Sequence, residues 1–148
     1  MNRQRGFTIV EVLVAMVVLS VGMLGIAGLY VTTLRSVGGA IYRLQAVSFA
    51  ADMADRIRAN RTAGVAYAGA AANNNCDGAA AVDCTPAQMA AHDLLRWNAQ
   101  VANGLPGGVG AVLVPPVAAL PQLYTITVSW SDPDQPGVPQ QYQVTMQL

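Results

Sequence analysis

Apolar residues run unbroken near the start of the chain and then thin into two different rhythms. From Val12 to Val31 twenty consecutive residues carry no charge and are rich in Val, Leu, Met, Ala and Ile. As a helix rising about 1.5 Å per residue, such a run spans roughly 30 Å, the thickness of a bilayer's hydrocarbon core. Beyond Arg35 the apolar positions fall at three- and four-residue steps, at Val37, Ile41, Leu44, Val47, Ala51, Ala54 and then Ile57 or Arg58. That is the period of an α-helix. One helix is therefore expected to reach about Asn60, with an amphipathic outer half whose apolar face, at these positions, holds a small domain.

A second helix is expected to start at Thr85-Pro86-Ala87-Gln88, where Thr can cap, Pro suits the first position and Gln the third. Ala90, Leu94, Trp97 and Val101 share one of its faces, and Gly104-Leu105-Pro106-Gly107 stops it. The rhythm then changes to strict alternation. Leu123 to Trp130 places Tyr124, Ile126, Val128 and Trp130 on one side, and Gln141 to Leu148 does the same with Tyr142, Val144, Met146 and Leu148. Ser131 to Gly137 reads as the hairpin loop between them, and Val109 to Val114 as a third strand. The expected architecture is α+β: a long N-terminal helix carrying a small globular domain of one further helix and an antiparallel sheet of about three strands.

Composition narrows the chemistry. At 148 residues, 11% of them charged and with zero formal net charge, the chain has room for one small domain and no nucleic-acid-binding surface. It contains no lysine, which excludes a P-loop lysine, a Schiff-base lysine and a Ser-Lys pair. The one histidine, His92, excludes a multi-histidine metal site; although Asp93 adjoins it, it reads as a lone surface histidine. Asp132 and Asp134 in the Pro-Gly loop read as turn residues rather than calcium ligands. Asp52 to Arg56 and Asp55 to Arg58 read as helical ion pairs on a solvated face, each contributing only tenths of a kcal/mol. No cofactor and no catalytic constellation is expected.

Cys76 and Cys84, the only two cysteines, lie in an Ala/Asn/Asp/Gly-rich stretch. An even count in a loop suits a disulfide formed outside the cytosol, worth roughly 2.5 kcal/mol by loop-closure entropy; two reduced thiols that never meet are the other reading. Neither a C-x-x-C spacing nor further ligands support redox or zinc chemistry.

Glu11, the only glutamate in the chain, stands at the head of the apolar run. A carboxylate at the centre of a spanning helix costs about 2.5 to 3.5 kcal/mol, and less near an end. Two readings stand on residue chemistry alone: Glu11 is used, or it rests harmlessly in the headgroup region beside the positive end of the helix dipole. Gly22, Gly25 and Gly28 would each cost a helix in water about 1 kcal/mol relative to Ala, whereas among packed apolar helices small residues let backbones approach. The run is too long for an ordinary secretory leader, and the small residue, Gly6, precedes it. Basic residues flank the run on both sides, Arg3 and Arg5 before and Arg35 and Arg43 after, so charge counting does not orient it.

The segment Arg5-Gly6-Phe7-Thr8-Ile9-Val10-Glu11 resembles the class III signal of type IV prepilins. The resemblance implies a leader over 1–6 cut after Gly6 by prepilin peptidase, methylation of the new N-terminal Phe7, a membrane and filament-core helix over 7–34, and a pilin-like globular portion over 35–148. It also implies that Glu11 pairs with the amino terminus of a neighbouring subunit, because a cation and a carboxylate buried among apolar helices are tolerable only together. Ala51-Asp52-Met53 with Arg56 to Arg61, and Ser20 to Leu29, are similar to PilV-type minor pilins. That similarity implies a role in pilus assembly, initiation and adhesion, with other minor pilins, the major pilin and the inner-membrane assembly machinery as partners. The location implied is the bacterial inner membrane, with the globular part periplasmic, and then the pilus. A pseudopilin of a type II secretion or DNA-uptake system shares the N-terminal motif, and a membrane-anchored periplasmic enzyme or an unprocessed adaptor remain as readings from other classes.

Overall fold

The computed structural model describes residues 6–79, 81–115, 121–133, 135 and 137–148. Arg3 and Arg5 of the expected leader and Asp134 of the hairpin loop lie outside them. In chain order the elements are helix α1 (Ile9–Ala59), a 3-10 helix (Arg61–Ala68), helix α2 (Pro86–Gly104) and strands β1 (Val109–Leu113), β2 (Leu123–Ser131) and β3 (Pro139–Gln147). The long helix, the second helix and the three-strand antiparallel sheet are those expected from the pattern of residues. By contacts the chain forms two compact units, one ending at Gly38 and one spanning Gly39–Leu148.

In the second unit the sheet order is β1-β2-β3, both pairings antiparallel. Tyr124, Ile126, Val128 and Trp130 of β2 are all buried, as the alternation predicts. They meet Ala90, Leu94, Trp97 and Val101 of α2 and a stripe of α1 in one core. Thr85 caps α2 in a full capping box: its side chain accepts from the Gln88 N–H at 3.3 Å, and the Gln88 side chain accepts from the Thr85 N–H at 2.9 Å.

The stripe of α1 differs from the expected one. Ala46, Ala50, Met53, Ala54 and Ile57 are buried, whereas Val37, Ile41 and Val47 are partly open and Leu44 is 70% exposed. Apolar residues surround this part of α1, so helical steps can be drawn along two faces that converge at Ala54 and Ile57. The domain takes the face with three alanines, which lets the helices close up, and the bulkier stripe stays outside. Trp97 shows how close they come: its indole is fully buried and its Nε1–H donates to the Phe49 carbonyl of α1 at 2.8 Å. On the other side the indole lies against Gly110 of β1, where any Cβ would overlap Cζ3 and Cη2 of the ring.

Between the helices the chain is pinned by few side chains. Tyr67, in an alanine-rich stretch with little else to bury, goes fully into the core. Cys76 and Cys84 form a disulfide, with Cα atoms 5.7 Å apart. The approach to that loop is tied to α2 by the Ala72 N–H donating to the Ala91 carbonyl at 3.0 Å and by Asn74 Nδ2 donating to the Gln88 carbonyl at 2.9 Å.

Candidate functional site

The first helical turn of α1 is built by Thr8. Its backbone carbonyl and its Oγ1 both accept from the Glu11 N–H, at 3.1 and 3.3 Å, as an N-cap does for its third helical residue. Glu11 thereby sits in the first turn, where the free N–H groups and the helix dipole favour a carboxylate. Gly6 and Phe7 precede the helix, and Phe7 is 83% exposed. Phe7, Glu11, Val12, Ala15, Met16 and Leu19 line one shallow groove along the helix, so the solitary carboxylate is embedded in an apolar surface.

From this point α1 is long and apolar enough to cross a membrane, and none of its most apolar stretch is buried within the chain. Valines, leucines, methionines and isoleucines face outward on every side. A helix apolar all round needs lipid or other helices to cover it. Its serine and threonine hydroxyls at Ser20, Thr32 and Thr33 are already satisfied by its own backbone: Ser20 donates to the Val17 carbonyl at 2.8 Å, and Thr32 and Thr33 each donate to the Leu29 carbonyl at 2.9 Å. Such back-bonding removes the cost of carrying them into hydrocarbon. A Cβ on Gly22, Gly25 or Gly28 would meet nothing within 4 Å, so nothing in this chain requires glycine there. The helix passes through all three without a break.

The polar features of the second unit serve packing. Asp52–Arg56 and Asp55–Arg58 are ion pairs at 3.0 and 2.6 Å, as the helical spacing predicts. Arg56 does more than the sequence suggests: Nη1 reaches Asp93 of α2 at 3.2 Å and Nη2 reaches Gln100 at 3.4 Å. Burial by itself would lower the guanidinium's pKa, but the hydrogen bonds and charges of Asp52 and Asp93 outweigh it and raise it. Asp93 also accepts from the Tyr67 hydroxyl at 2.9 Å. One carboxylate thus joins α1, the 3-10 helix and α2. No pattern announces this joint, because its members lie 26 and 37 residues apart; a lone aromatic in an alanine-rich stretch is the only hint.

Burial foremost, and after it the hydrogen bond to Asp93 and that group's charge, push the Tyr67 phenol above its ordinary value of 10.0 against the opposing pull of Asn60. In the unfolded chain the phenol ionises near pH 10 and in the folded chain only above that, so its contribution is complete below about pH 10 and is lost as pH rises further. Tyr67→Phe is accordingly expected to cost about 1 to 3 kcal/mol at neutral pH. It should also flatten the fall in Tm above about pH 10. Equal alkaline slopes in melting experiments on the two proteins would show that another group governs it.

His92 is not at the surface. Only 4% exposed, it lies under the disulfide loop with Nε2 3.0 Å from Asp77 Oδ1, a close polar contact out of line for a straight hydrogen bond. The loop's return onto α2 covers a position that periodicity alone puts at the rim. Asp77 also meets Arg96 at 2.8 Å, and first His92 and then Arg96 hold its carboxyl below its ordinary range. Asp132 begins a turn, its carbonyl accepting from the Gln135 N–H at 3.0 Å. Among the described residues no group of three His, Cys, Asp or Glu is placed to hold a metal.

Two family models match, end to end. Residues 1–27 match the prokaryotic N-terminal methylation motif, and residues 28–95 match the family described as type IV pilin Tt1218. No curated protein and no solved structure matches the chain.

Proposed function

Because the chain belongs to the type IV pilins, with the N-terminal motif that implies processing by prepilin peptidase and handling by pilus machinery, we propose that it is a PilV-like minor pilin, acting in the start of pilus assembly and in adhesion rather than as bulk filament. Its work is structural and not catalytic. The leader is cut after Gly6, Phe7 is methylated, and Glu11 meets the amino terminus of a neighbouring subunit. Other minor pilins and the major pilin are its partners. The chain spans the inner membrane once, with the globular part periplasmic, before it enters the pilus.

One observation carries the reading: a single carboxylate in the first turn of a helix whose apolar surface has no cover within the chain. The new α-amino group on Phe7, with a reference pKa of about 7.7 to 8.0, is largely cationic at neutral pH and supplies the missing counter-charge from another copy or another pilin. The disulfide agrees with a globular part outside the cytosol. The similarity of Ala51–Met53 and Arg56–Arg61 to PilV-type subunits supports the minor role.

Mass spectrometry of the mature N-terminus tests processing directly. The expected peptide begins at Phe7 and carries one methyl group. An intact Met1 in cells that hold the processing peptidase, or cleavage beyond the apolar run, would overturn the reading.

A further inference from the structure

The end of the β2–β3 ladder fixes which backbone groups of β3 face away from the sheet. Gln122 and Leu148 exchange two bonds, the Gln122 N–H to the Leu148 carbonyl at 2.7 Å and the Leu148 N–H to the Gln122 carbonyl at 3.0 Å. From there the register runs without a bulge from Leu123↔Gln147 to Ser131↔Pro139. Backbone groups alternate sides along a strand, so Met146, Val144, Tyr142 and Gln140 direct theirs into β2. Gln147, Thr145, Gln143 and Gln141 direct both N–H and C=O outward, and Pro139 its C=O. β3 is the edge of the sheet, and among the described residues none of these outward groups has a partner.

Edges of this kind are normally blunted by charge, an interior proline, a bulge or brevity. β3 has nine residues, no charge, and a proline only at its first position. The sheet's outer surface beside it is equally neutral: Gln141, Gln143, Thr145 and Gln147 are exposed, paired in register with Ser129, Thr127, Thr125 and Leu123.

We propose that the β3 edge accepts an extended, uncharged strand from the globular part of a neighbouring, non-identical pilin subunit. The neighbour's identity rests on the pilin reading above, and its chemistry on the edge: outward donors and acceptors repeating every second residue are met by an extended backbone. A filament generated by a screw operation brings different patches of identical subunits together. A second copy would therefore have to offer its other edge, β1. That strand has five residues, and its register turns only Gly110 and Val112 outward, against five outward positions on β3. β3 carries no charge that could pair with one on an incoming strand, so a neutral strand matches it best. A longer, neutral edge from a different subunit fits both limits.

The test uses the full-length chain in cells that build pili. Gln143→Pro removes one outward N–H that the sheet does not use, while Gln143→Ala keeps it. The proline variant should fall roughly tenfold or more in sheared filaments while the alanine variant stays within about twofold, since an edge proline blocks strand addition without breaking the strand's own ladder. A photoreactive p-benzoylphenylalanine at position 143 of the otherwise native chain should cross-link to a different pilin. Melting of the purified full chain in detergent reports whether the proline variant folds, and if it does not, the cross-link decides alone. Normal incorporation of a folded proline variant, equal loss with alanine, or a homodimer as the sole adduct would overturn the proposal. A wild-type chain that keeps its leader, or never reaches filaments, would instead remove the pilin reading beneath it.

Discussion

Glu11→Ala is expected to leave cleavage after Gly6 intact and to lower recovery of the chain in sheared filaments by about tenfold to a hundredfold. Before assembly the carboxylate sits in a capped first turn at the positive end of α1, where its loss costs little. In the proposed assembly the same carboxylate is paired among apolar helices, and removing one member of such a buried pair costs roughly 3 to 5 kcal/mol because the other charge is left uncompensated. At about 1.4 kcal/mol per factor of ten, and with partial hydration at a helix end reducing the figure, a loss of that size is expected. Glu11→Gln separates charge from shape. It retains length and hydrogen bonding, so a charge-pairing role predicts that it fails like alanine, whereas Glu11→Asp should recover part of the wild-type level. Quantifying the chain in membrane and filament fractions, with the N-terminal mass as the control for processing, reads all three. A Glu11→Ala chain found in filaments at the wild-type level would leave the carboxylate as a capping residue only.

Much of this fold is written in local rhythm. The capping box at Thr85, the glycine-rich stop after α2 and the alternation of β2 each depend on residues within a few positions of one another, and each is where the pattern puts it. What rhythm cannot rank is two apolar stripes on one helix. Val37, Ile41, Leu44 and Val47 are the bulkier set and read as the core, yet Ala46, Ala50 and Ala54 allow α2 to approach near enough for Trp97 to reach the Phe49 carbonyl. Long-range polar joints are equally silent. Asp93 looks like half of an exposed His-Asp pair, but the two side chains separate, one to Arg56 and Tyr67 and the other beneath the disulfide loop to Asp77.

The N-terminal motif, matched over residues 1–27, is legible for a different reason. Its residues lie close together in sequence order: a small residue, an aromatic, a capping threonine and a carboxylate, followed by a long uncharged, mostly apolar run. The geometry adds that Thr8 and Glu11 belong to one capped turn. The outward edge of β3 shows the opposite case, because Gln141, Gln143, Thr145 and Gln147 read from sequence simply as the wet side of a strand. Only the ladder reveals that their backbone groups are the unpaired ones.

Trp97 and Gly110 are expected to form the most sensitive contact of the globular unit. The indole fills the space between α1 and β1, is completely buried, and spends its one donor on the Phe49 carbonyl. Trp97→Ala should therefore cost about 3 to 5 kcal/mol through the cavity alone. At roughly 4 °C per kcal/mol for a unit of this size, Tm falls by about 12 to 20 °C. Gly110→Ala attacks the same contact from the sheet. Its methyl would overlap the indole and would also crowd Asn98 Oδ1 at 2.9 Å, so two neighbours rather than one would have to shift. Overpacking of this kind costs about 1 to 3 kcal/mol. The two losses should not add: once the indole is gone the methyl enters a cavity, so the double variant should be no less stable than Trp97→Ala and recover a part of it. Direct contacts give interaction energies of about 0.5 to 3 kcal/mol in such a cycle, and full additivity of the Tm losses would mean that Gly110 is constrained by something other than Trp97.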